Sequence, residues 1–183
     1  MSELASSPIS GAAPNVADEG QRGGHVSDSA VVITVSTRAA AGVYSDRSGP
    51  VVVEVLRELG FAVEEPMVVP DGDAVGDALR AAVADGHAVV ITTGGTGLSP
   101  SDRTPEQTRM VLDREVPQLA AAIARYGVEH GVPTAALSRG IAGVGGRTVI
   151  VNLPGSSGGA RDGMAVLGPV LRHAVSQVRG GDH

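Results

Sequence analysis

Short apolar runs alternate with amphipathic stretches along most of this chain, and this alternation limits the folds that it can adopt. The run Ala30–Ser36 (AVVITVS) is rich in β-branched residues, as expected of a strand buried on both faces. Further strands are predicted at Phe61–Val69, where Pro66 suggests an edge or a bulge, and at Ala88–Thr92. Strands that alternate with helices of about ten to fifteen residues indicate a mostly parallel sheet covered on both sides. The predicted fold class is therefore α/β.

The amphipathic stretches between these runs are the predicted helices. The first should begin near Ser48 and end at Leu59, because Gly60 provides a C-terminal stop. The other predicted helices are Asp73–Asp85, Glu115–Tyr126, Ala160–Val178 and one that follows Thr104 as its N-cap.

Local signals define the connections. Thr104, Pro105 and Gln107 have the spacing of an N-cap, an N1 proline and the third position of a capping box. Thr37–Ser48 is polar and contains glycine, which predicts a loop. Two short apolar segments flank Gly145-Gly146 and indicate a hairpin or a tight link between strands.

Composition narrows the classes of function. The net charge of −6 and the aromatic content of 2% argue against a nucleic-acid binder, which needs clustered cations and stacking faces. The chain has no cysteine, so disulfides and thiolate chemistry are excluded. No apolar run approaches the roughly 20 residues of a membrane span. We therefore expect a cytoplasmic protein with neither a membrane nor a nucleic acid as partner.

The N-terminal segment differs from the remainder of the chain. Residues 1–28 are rich in Ser, Gly, Ala and Pro, and they have neither a basic start nor an apolar signal core. This composition predicts a flexible tail. The chain of 183 residues has a length that suits one domain, which we assign to residues 29–179.

A glycine-rich loop follows the predicted strand Ala88–Thr92. In Thr92–Gly97 (TTGGTG), glycines allow backbone N–H groups to approach a phosphate, and threonine hydroxyls add donors. The loop matches neither the Walker A motif nor GxGxxG. Glycine also serves tight turns, so a purely structural turn stays an alternative.

Two aspartates lie near the ends of neighbouring predicted strands. Asp102 follows the glycine loop in SPSDRTP, and Asp71 follows the second strand in VVPDGD. Carboxylates beside a phosphate site commonly hold Mg²⁺, a hard cation that prefers oxygen ligands. Alternatively, Asp102 caps a turn or pairs with Arg103, and Asp71 belongs to an Asp-Gly turn. If both face one site, they form a candidate divalent-metal site.

Two further segments are candidate anion sites. Leu153–Gly159 (LPGSSGG) leads into the last predicted helix, and a helix N-terminus presents free N–H groups and a favourable dipole. An N-capped connection without a ligand is the alternative. Arg139, after Ser138, could bind a phosphate through two hydrogen bonds or could be a surface arginine.

The order and spacing of these motifs resemble those of the MogA/MoaB family, which shares its domain with gephyrin. The resemblance rests on TTGGTG, SDRTPE and NLPGS, and also on STR with GVYSDRSG, VVPDGD and PTAALSRG. It extends over about Ala30–Gln177. It implies a three-layer α/β/α fold, a homotrimer and the adenylation of molybdopterin by ATP with Mg²⁺, which gives adenylyl-molybdopterin and pyrophosphate.

The resemblance also implies roles for residues of this chain. Asp71 and Asp102 would be the catalytic and metal-binding residues. Those implied to bind the nucleotide or the pterin are Ser36, Thr37, Thr93, Gly94, Gly95, Thr96, Gly97, Ser138, Arg139, Pro154, Gly155 and Ser156. A molybdenum-insertion protein of the MoeA type is an implied partner.

Two other functions fit the same motifs. PGSSGGARDGM is similar to the MoaB branch, which implies a non-catalytic, molybdopterin-binding scaffold or carrier as the alternative. A nucleotide-cleaving relative of the competence-damage proteins is a third reading, and the lack of a second domain argues against it. The presence of both aspartates favours the enzyme.

Overall fold

The computed structural model describes residues 28–181, which form one seven-stranded sheet with helices on both faces. The strands are β1 (Ser29–Val35), β2 (Ala62–Val63), β3 (Met67–Val69), β4 (Val89–Thr93), β5 (Arg114–Glu115), β6 (Ala142–Gly145) and β7 (Thr148–Leu153). Their order is β2-β1-β4-β7-β6-β5, and β3 pairs with β1 beyond β2. Of the described strand pairs, those of β6 with β5 and with β7 are antiparallel, and the others are parallel. The mostly parallel sheet predicted from the sequence is confirmed.

The helices are α1 (Thr37–Ala40), α2 (Gly49–Glu58), α3 (Asp73–Ala84), α4 (Thr104–Arg109), α5 (Pro117–Glu129) and α6 (Ser157–Val178), with a 3-10 helix at Pro133–Leu137. Three of them, α2, α5 and α6, bury Leu56, Ile123 and Leu167 against one face of the sheet. On the other face, Leu79 of α3 packs with Ile33 and Ile150. These two apolar clusters confirm the three-layer α/β/α fold.

The predicted strand Phe61–Val69 is instead two short strands, β2 and β3. Both pair in parallel with β1, and the chain leaves the ladder between them at residues 64–66. Pro66 has no backbone N–H to donate to a ladder, so the pairing is interrupted there and resumes at Met67.

The start of the predicted loop Thr37–Ser48 is helical. The Ser36 Oγ accepts a hydrogen bond of 3.2 Å from the backbone N–H of Ala39 and caps α1. Because serine at an N-cap satisfies an N–H group that has no partner inside the helix, a single helical turn can form directly after β1.

The predicted capping box at Thr104 is wrong. The residue that precedes α4 is Arg103, and no side chain caps this helix. The Thr104 hydroxyl is buried without a hydrogen-bond partner, and the Gln107 Nε2 donates to the Asp73 Oδ1 at 3.0 Å. Tertiary contacts with α3 and with the glycine loop therefore replace the local capping pattern.

Two helix starts differ from the prediction. Glu115 lies in β5, where it pairs with Gly143 of β6, and α5 begins only at Pro117. The last helix begins at Ser157, three residues before the predicted start at Ala160, because Ser156 is its N-cap and accepts from Gly159 N at 3.0 Å.

Asp28 belongs to the folded unit, although its composition placed it in the predicted tail. Its carboxylate pairs with Arg172 at 3.3 Å and also with Arg179. The prediction of a flexible tail otherwise falls on residues 1–27, which lie outside the described residues. Between residues 28 and 181, no helix is both long enough and apolar enough to cross a membrane.

Candidate functional site

The C-terminal ends of β1, β3, β4 and β7 lie at one edge of the sheet. A hydrogen bond of 2.9 Å from Ser36 N to Val69 O joins the ends of β1 and β3, and one of 3.0 Å from Gly94 N to Leu153 O joins those of β4 and β7. Parallel sheets bind ligands at this edge. A cleft of about 710 Å³ opens there.

This cleft, which we call the polar cleft, brings together residues that are distant in the sequence. Asp71 and Asp102 both line it, together with Gly94 and Gly95. The two aspartates are therefore on the same side of the molecule, beside the glycine loop. Five other residues that were predicted to bind a ligand also line the polar cleft: Ser36, Thr37, Thr93, Gly155 and Ser156.

The glycine loop turns sharply between β4 and the cleft. Gly94 and Gly95 have φ values of +97° and +62°, a region that glycine adopts without the cost of a Cβ atom. The N–H of Gly94 is used by Leu153 O. Within residues 28–181, the N–H groups of Gly95, Thr96 and Gly97 donate to no protein acceptor. These three donors are available to a ligand.

The second anion loop packs directly on the first. A Cβ atom added at Gly155 would lie 3.0 Å from the Cα of Gly94, so the two loops meet backbone to backbone. Ser156 then caps α6. This contact puts the N-terminus of a helix of 22 residues beside the glycine loop, where its dipole favours negative charge.

Asp71 is held through one oxygen of its carboxylate. Its Oδ2 accepts hydrogen bonds from Thr37 Oγ1 at 3.1 Å and from Thr37 N at 3.4 Å. Its Oδ1 is buried and has no hydrogen-bond partner. This oxygen and the Thr104 Oγ1, which also lacks a partner, both lie within 3.0 Å of the position that a Cβ atom added to Gly95 would take. A buried oxygen without a partner is costly, which points to a proton donor or a cation at this position.

Asp102, like Asp71, is half-buried. Its Oδ2 accepts from Ser99 N at 3.1 Å, and its side chain borders the polar cleft and the adjoining cavity described below. Within residues 28–181, no cluster of three or more His, Cys, Asp or Glu side chains could hold a metal ion. Two carboxylates with phosphate oxygens are, however, a common ligand set for Mg²⁺, and Asp71 and Asp102 supply two carboxylates to the lining of the polar cleft.

Sequence reasoning did not single out Asp46, which organises the loop between α1 and α2. Its Oδ2 accepts from Thr34 Oγ1 at 2.6 Å, and its Oδ1 accepts from Ser48 N at 2.9 Å and from Gly49 N at 3.1 Å. The Ser48 hydroxyl in turn bonds that of Thr93 at 2.9 Å. The DRSG segment before Pro50 could have indicated this role, since aspartate commonly accepts from backbone N–H groups at turns and helix starts.

The guanidinium of Arg139 is directed at protein atoms. It donates to Gly97 O at 2.7 Å, to Asp102 O at 2.5 Å and to the Glu106 carboxylate. Its backbone N–H also donates to Thr96 O at 2.9 Å. These bonds join both ends of the segment that carries Asp102. In this arrangement Arg139 supports the loop, whereas its predicted contact with a ligand phosphate stays a prediction.

The pairing of Glu106 with Arg139 changes the acidity of Glu106. Partial burial raises the pKa of its carboxyl group, but the Arg139 hydrogen bond and the charges of Arg139 and Arg109 lower it further, so the pKa lies below its ordinary value. A depressed carboxyl pKa stabilises the fold at pH values above the unfolded pKa. That stability is lost as the pH falls through the folded pKa.

Replacement of Glu106 by glutamine should therefore lower stability in a pH-dependent way. At pH 7 we expect a loss of about 1 kcal/mol or less, because the pair is partly exposed. The difference from the wild type should shrink as the pH falls below about 4.3, the ordinary glutamate pKa. Urea denaturation at pH 7, 5 and 3.5 measures it, and a difference that is constant over this range would contradict the ionic contribution of Glu106.

A second cavity of about 460 Å³ adjoins the polar cleft. The two share Gly94, Gly95, Asp102, Gly155 and Ser156. Its outer wall is mostly apolar and comes from α5, the 3-10 helix and the link between them, through Ile123, Ala124, Gly127, Val132, Ala135 and Leu137. Of the other predicted residues, Thr96, Gly97, Ser138 and Pro154 line this apolar cavity, whereas Arg139 lines neither space. Sequence reasoning missed the α5 wall, since its apolar residues have the pattern of an ordinary core helix.

The fold and the site define a class of protein: an α/β ligand-binding protein whose strand ends carry two glycine-rich loops and two carboxylates around joined polar and apolar cavities. Residues 31–173 match the family described as "Probable molybdopterin binding domain". The chain belongs to this family, the MogA/MoaB family of molybdenum cofactor biosynthesis.

Individual relatives agree with this assignment. The chain is 38% identical over 172 residues to the molybdenum cofactor biosynthesis bifunctional protein of Synechococcus elongatus, covering 93% of this chain and 53% of the relative. It thus spans about half the length of that protein. It is 34% identical to the molybdopterin adenylyltransferase of Helicobacter pylori, over 81% of this chain and 86% of the relative. The Mog protein structure from Mycobacterium ulcerans is 54% identical, with a TM-score of 0.79 over 83% of this chain and 99% of that one.

Proposed function

We propose that this protein adenylates molybdopterin with ATP. The observation that carries the proposal is that three unpaired loop N–H groups, those of Gly95, Thr96 and Gly97, belong to residues lining the joined polar cleft and apolar cavity that also contain the carboxylates of Asp71 and Asp102. The name of the Helicobacter pylori relative, molybdopterin adenylyltransferase, agrees with the chemistry that such a cleft can perform.

In the proposed reaction, a phosphate oxygen of molybdopterin attacks the α-phosphorus of ATP. A new P–O bond forms, and the bond between the α-phosphorus and the oxygen bridging to the β-phosphorus breaks. Pyrophosphate leaves with the electron pair, and adenylyl-molybdopterin remains. Negative charge from both substrates is crowded at one phosphorus, so catalysis depends on positioning and charge stabilisation.

The residues of the chain have distinct parts in this scheme. The N–H groups of Gly95, Thr96 and Gly97 would donate to the reacting phosphates from fixed positions. Asp71 and Asp102 would hold Mg²⁺, which neutralises phosphate charge when bound. The apolar cavity would take the ring system of one substrate, and its junction with the polar cleft at Gly94 and Gly155 brings the two substrates together.

The experiment is an adenylation assay. The protein, molybdopterin, ATP and Mg²⁺ should release pyrophosphate and form adenylyl-molybdopterin, whereas omission of molybdopterin or Mg²⁺ should abolish both products. Adenylyl-molybdopterin is identified by mass spectrometry. Molybdopterin binding without any product, under conditions where a known adenylyltransferase turns over, would reject the enzyme in favour of a binding scaffold.

The proposal also includes the location, the oligomeric state and the partner of the protein. We propose a cytoplasmic homotrimer that passes its product to a molybdenum-insertion protein of the MoeA type. The three chains of the trimer would each carry one cleft. Sedimentation equilibrium measures the oligomeric state directly.

A further inference from the structure

The charged side chains of the polar cleft divide into two groups. Three carboxylates, Asp46, Asp71 and Asp102, and two guanidinium groups, Arg38 and Arg47, line it. A polyphosphate would be repelled by the three carboxylates and by the net charge of −6 unless cations offset them. Arginines that line the cleft and have no carboxylate partner would be available to bind the polyphosphate.

Six of the thirteen arginines among residues 28–181 form ion pairs, and of the seven that do not, only Arg38 and Arg47 line the polar cleft. Among residues 28–181, those in ion pairs are Arg57, Arg80, Arg109, Arg139, Arg172 and Arg179. Arg139, the arginine that the sequence favoured, donates to three protein oxygens. Within the same residues, neither Arg38 nor Arg47 forms an ion pair, and both are exposed.

The backbone on both sides of Arg47 is fixed. Asp46 accepts from the Thr34 hydroxyl and from the N–H groups of Ser48 and Gly49. Thr34 lies in β1, and Ser48 and Gly49 are the N-cap and the first residue of α2. The position of Arg47 is thus determined by its neighbours. Its long side chain lines the cleft with its donors unused by a carboxylate.

Arg38 lies in α1 and is held by a contact with the loop that follows. Its guanidinium carbon lies 5.2 Å from the ring centroid of Tyr44, a cation–π distance. The Tyr44 hydroxyl bonds the Ser36 Oγ at 2.8 Å. This contact ties α1 to the loop that carries Arg47, so the two cations face one cleft from a connected segment.

We propose that Arg38 and Arg47 form a subsite for the β- and γ-phosphates of the nucleoside triphosphate. The proposal rests on the proposed function, and it adds where the pyrophosphate group lies before it leaves. Arginine donors match phosphate oxygens in pairs. The α-phosphate would then lie at Gly95–Gly97, and the leaving group would extend into the polar cleft.

The test compares ligands that contain or lack this group. Isothermal titration with Mg²⁺ gives the Kd values of ATP, AMP and inorganic pyrophosphate for the wild type, Arg47→Gln and the double variant Arg38→Gln/Arg47→Gln. Each lost arginine should raise the Kd values of ATP and pyrophosphate about tenfold or more, since a charged hydrogen bond is lost. The Kd of AMP should change by less than about threefold.

Arg147→Gln is the matched control. Arg147 is also exposed, but it lies in the turn before β7, at the opposite edge of the sheet, and contacts Arg179 O. All three affinities should stay unchanged in this variant. Thermal melting of each variant establishes that it is folded, and Arg47→Lys, which keeps the charge, should recover part of the affinity.

The possible outcomes distinguish a failure of the proposed subsite from a failure of the proposed reaction. Unchanged ATP affinity in the double variant, or an equal loss for AMP and ATP, would overturn the subsite even if the wild type adenylates molybdopterin. If the wild type binds pyrophosphate through both arginines but makes no adenylyl-molybdopterin, the subsite stands and the proposed reaction fails. A wild type that binds neither ATP nor pyrophosphate would overturn both.

Discussion

Asp102→Asn is expected to lower the turnover of adenylation by about a hundredfold to a thousandfold, while molybdopterin binding changes little. Asparagine has the shape of aspartate and keeps an oxygen that can accept from Ser99 N, as Asp102 Oδ2 does at 3.1 Å. The substitution therefore removes charge without removing the turn. The lost charge acts on the crowded phosphates of the transition state more than on a bound substrate, so kcat should fall much more than Kd rises.

Pyrophosphate release gives kcat, and equilibrium titration gives the Kd of molybdopterin. Asp113→Asn is a matched control, because Asp113 also accepts from one backbone N–H, that of Gly146 at 2.6 Å. That bond lies beside the β6–β7 turn, at the sheet edge opposite the cleft. The control should keep wild-type turnover. Full turnover in Asp102→Asn would remove this residue from the mechanism.

The central part of the fold could be predicted because its signals are local. The β-branched run at Ala30–Ser36 and the one at Ala88–Thr92 become β1 and β4, which lie side by side in the sheet. The glycines at 60 and 86 end helices with positive φ, as their positions indicated. Such features depend on one residue type and its immediate neighbours, so the sequence alone specifies them.

The misjudged elements depend on contacts from distant parts of the chain. The spacing at Thr104 fits a capping box, but Gln107 bonds Asp73 and the Thr104 hydroxyl faces Gly95. Likewise, the strand Phe61–Val69 was broken because pairing with β1 on either side of Pro66 satisfies the backbone better. Tertiary contacts override local patterns at these positions.

The candidate site was partly predictable for the same reason. Asp71 and Asp102 follow β3 and β4, which both pair in parallel with β1, and the α/β topology brings such strand ends to one edge. The two aspartates share the polar cleft. The partners of a flexible side chain are not written in the sequence. Arg139 has the composition of an anion ligand, yet its guanidinium donates to Gly97, Asp102 and Glu106.

Gly94→Ala is expected to cause the largest loss of stability of the variants considered. Gly94 has φ +97°, and an added Cβ would lie less than 3.0 Å from the backbone carbonyl of Val35 at the end of β1. A strand carbonyl cannot move aside as a flexible side chain can, so overpacking adds to the backbone strain. We expect a loss of about 3 kcal/mol or more in the free energy of unfolding.

Gly42→Ala separates the two costs, because Gly42 also has a positive φ, +72°, but an added Cβ would meet no atom within 4 Å. Its free energy of unfolding should fall only by the cost of a left-handed backbone conformation, about 1–2 kcal/mol. Urea denaturation of both variants gives the difference, and the Kd of ATP measures the effect on the cleft. Because Gly94 packs on Gly155 and precedes the free N–H groups, ATP binding should weaken in Gly94→Ala alone. Equal losses of stability in the two variants would show that the end of β1 yields, and that the close approach of β1 to the glycine loop is not what requires glycine at position 94.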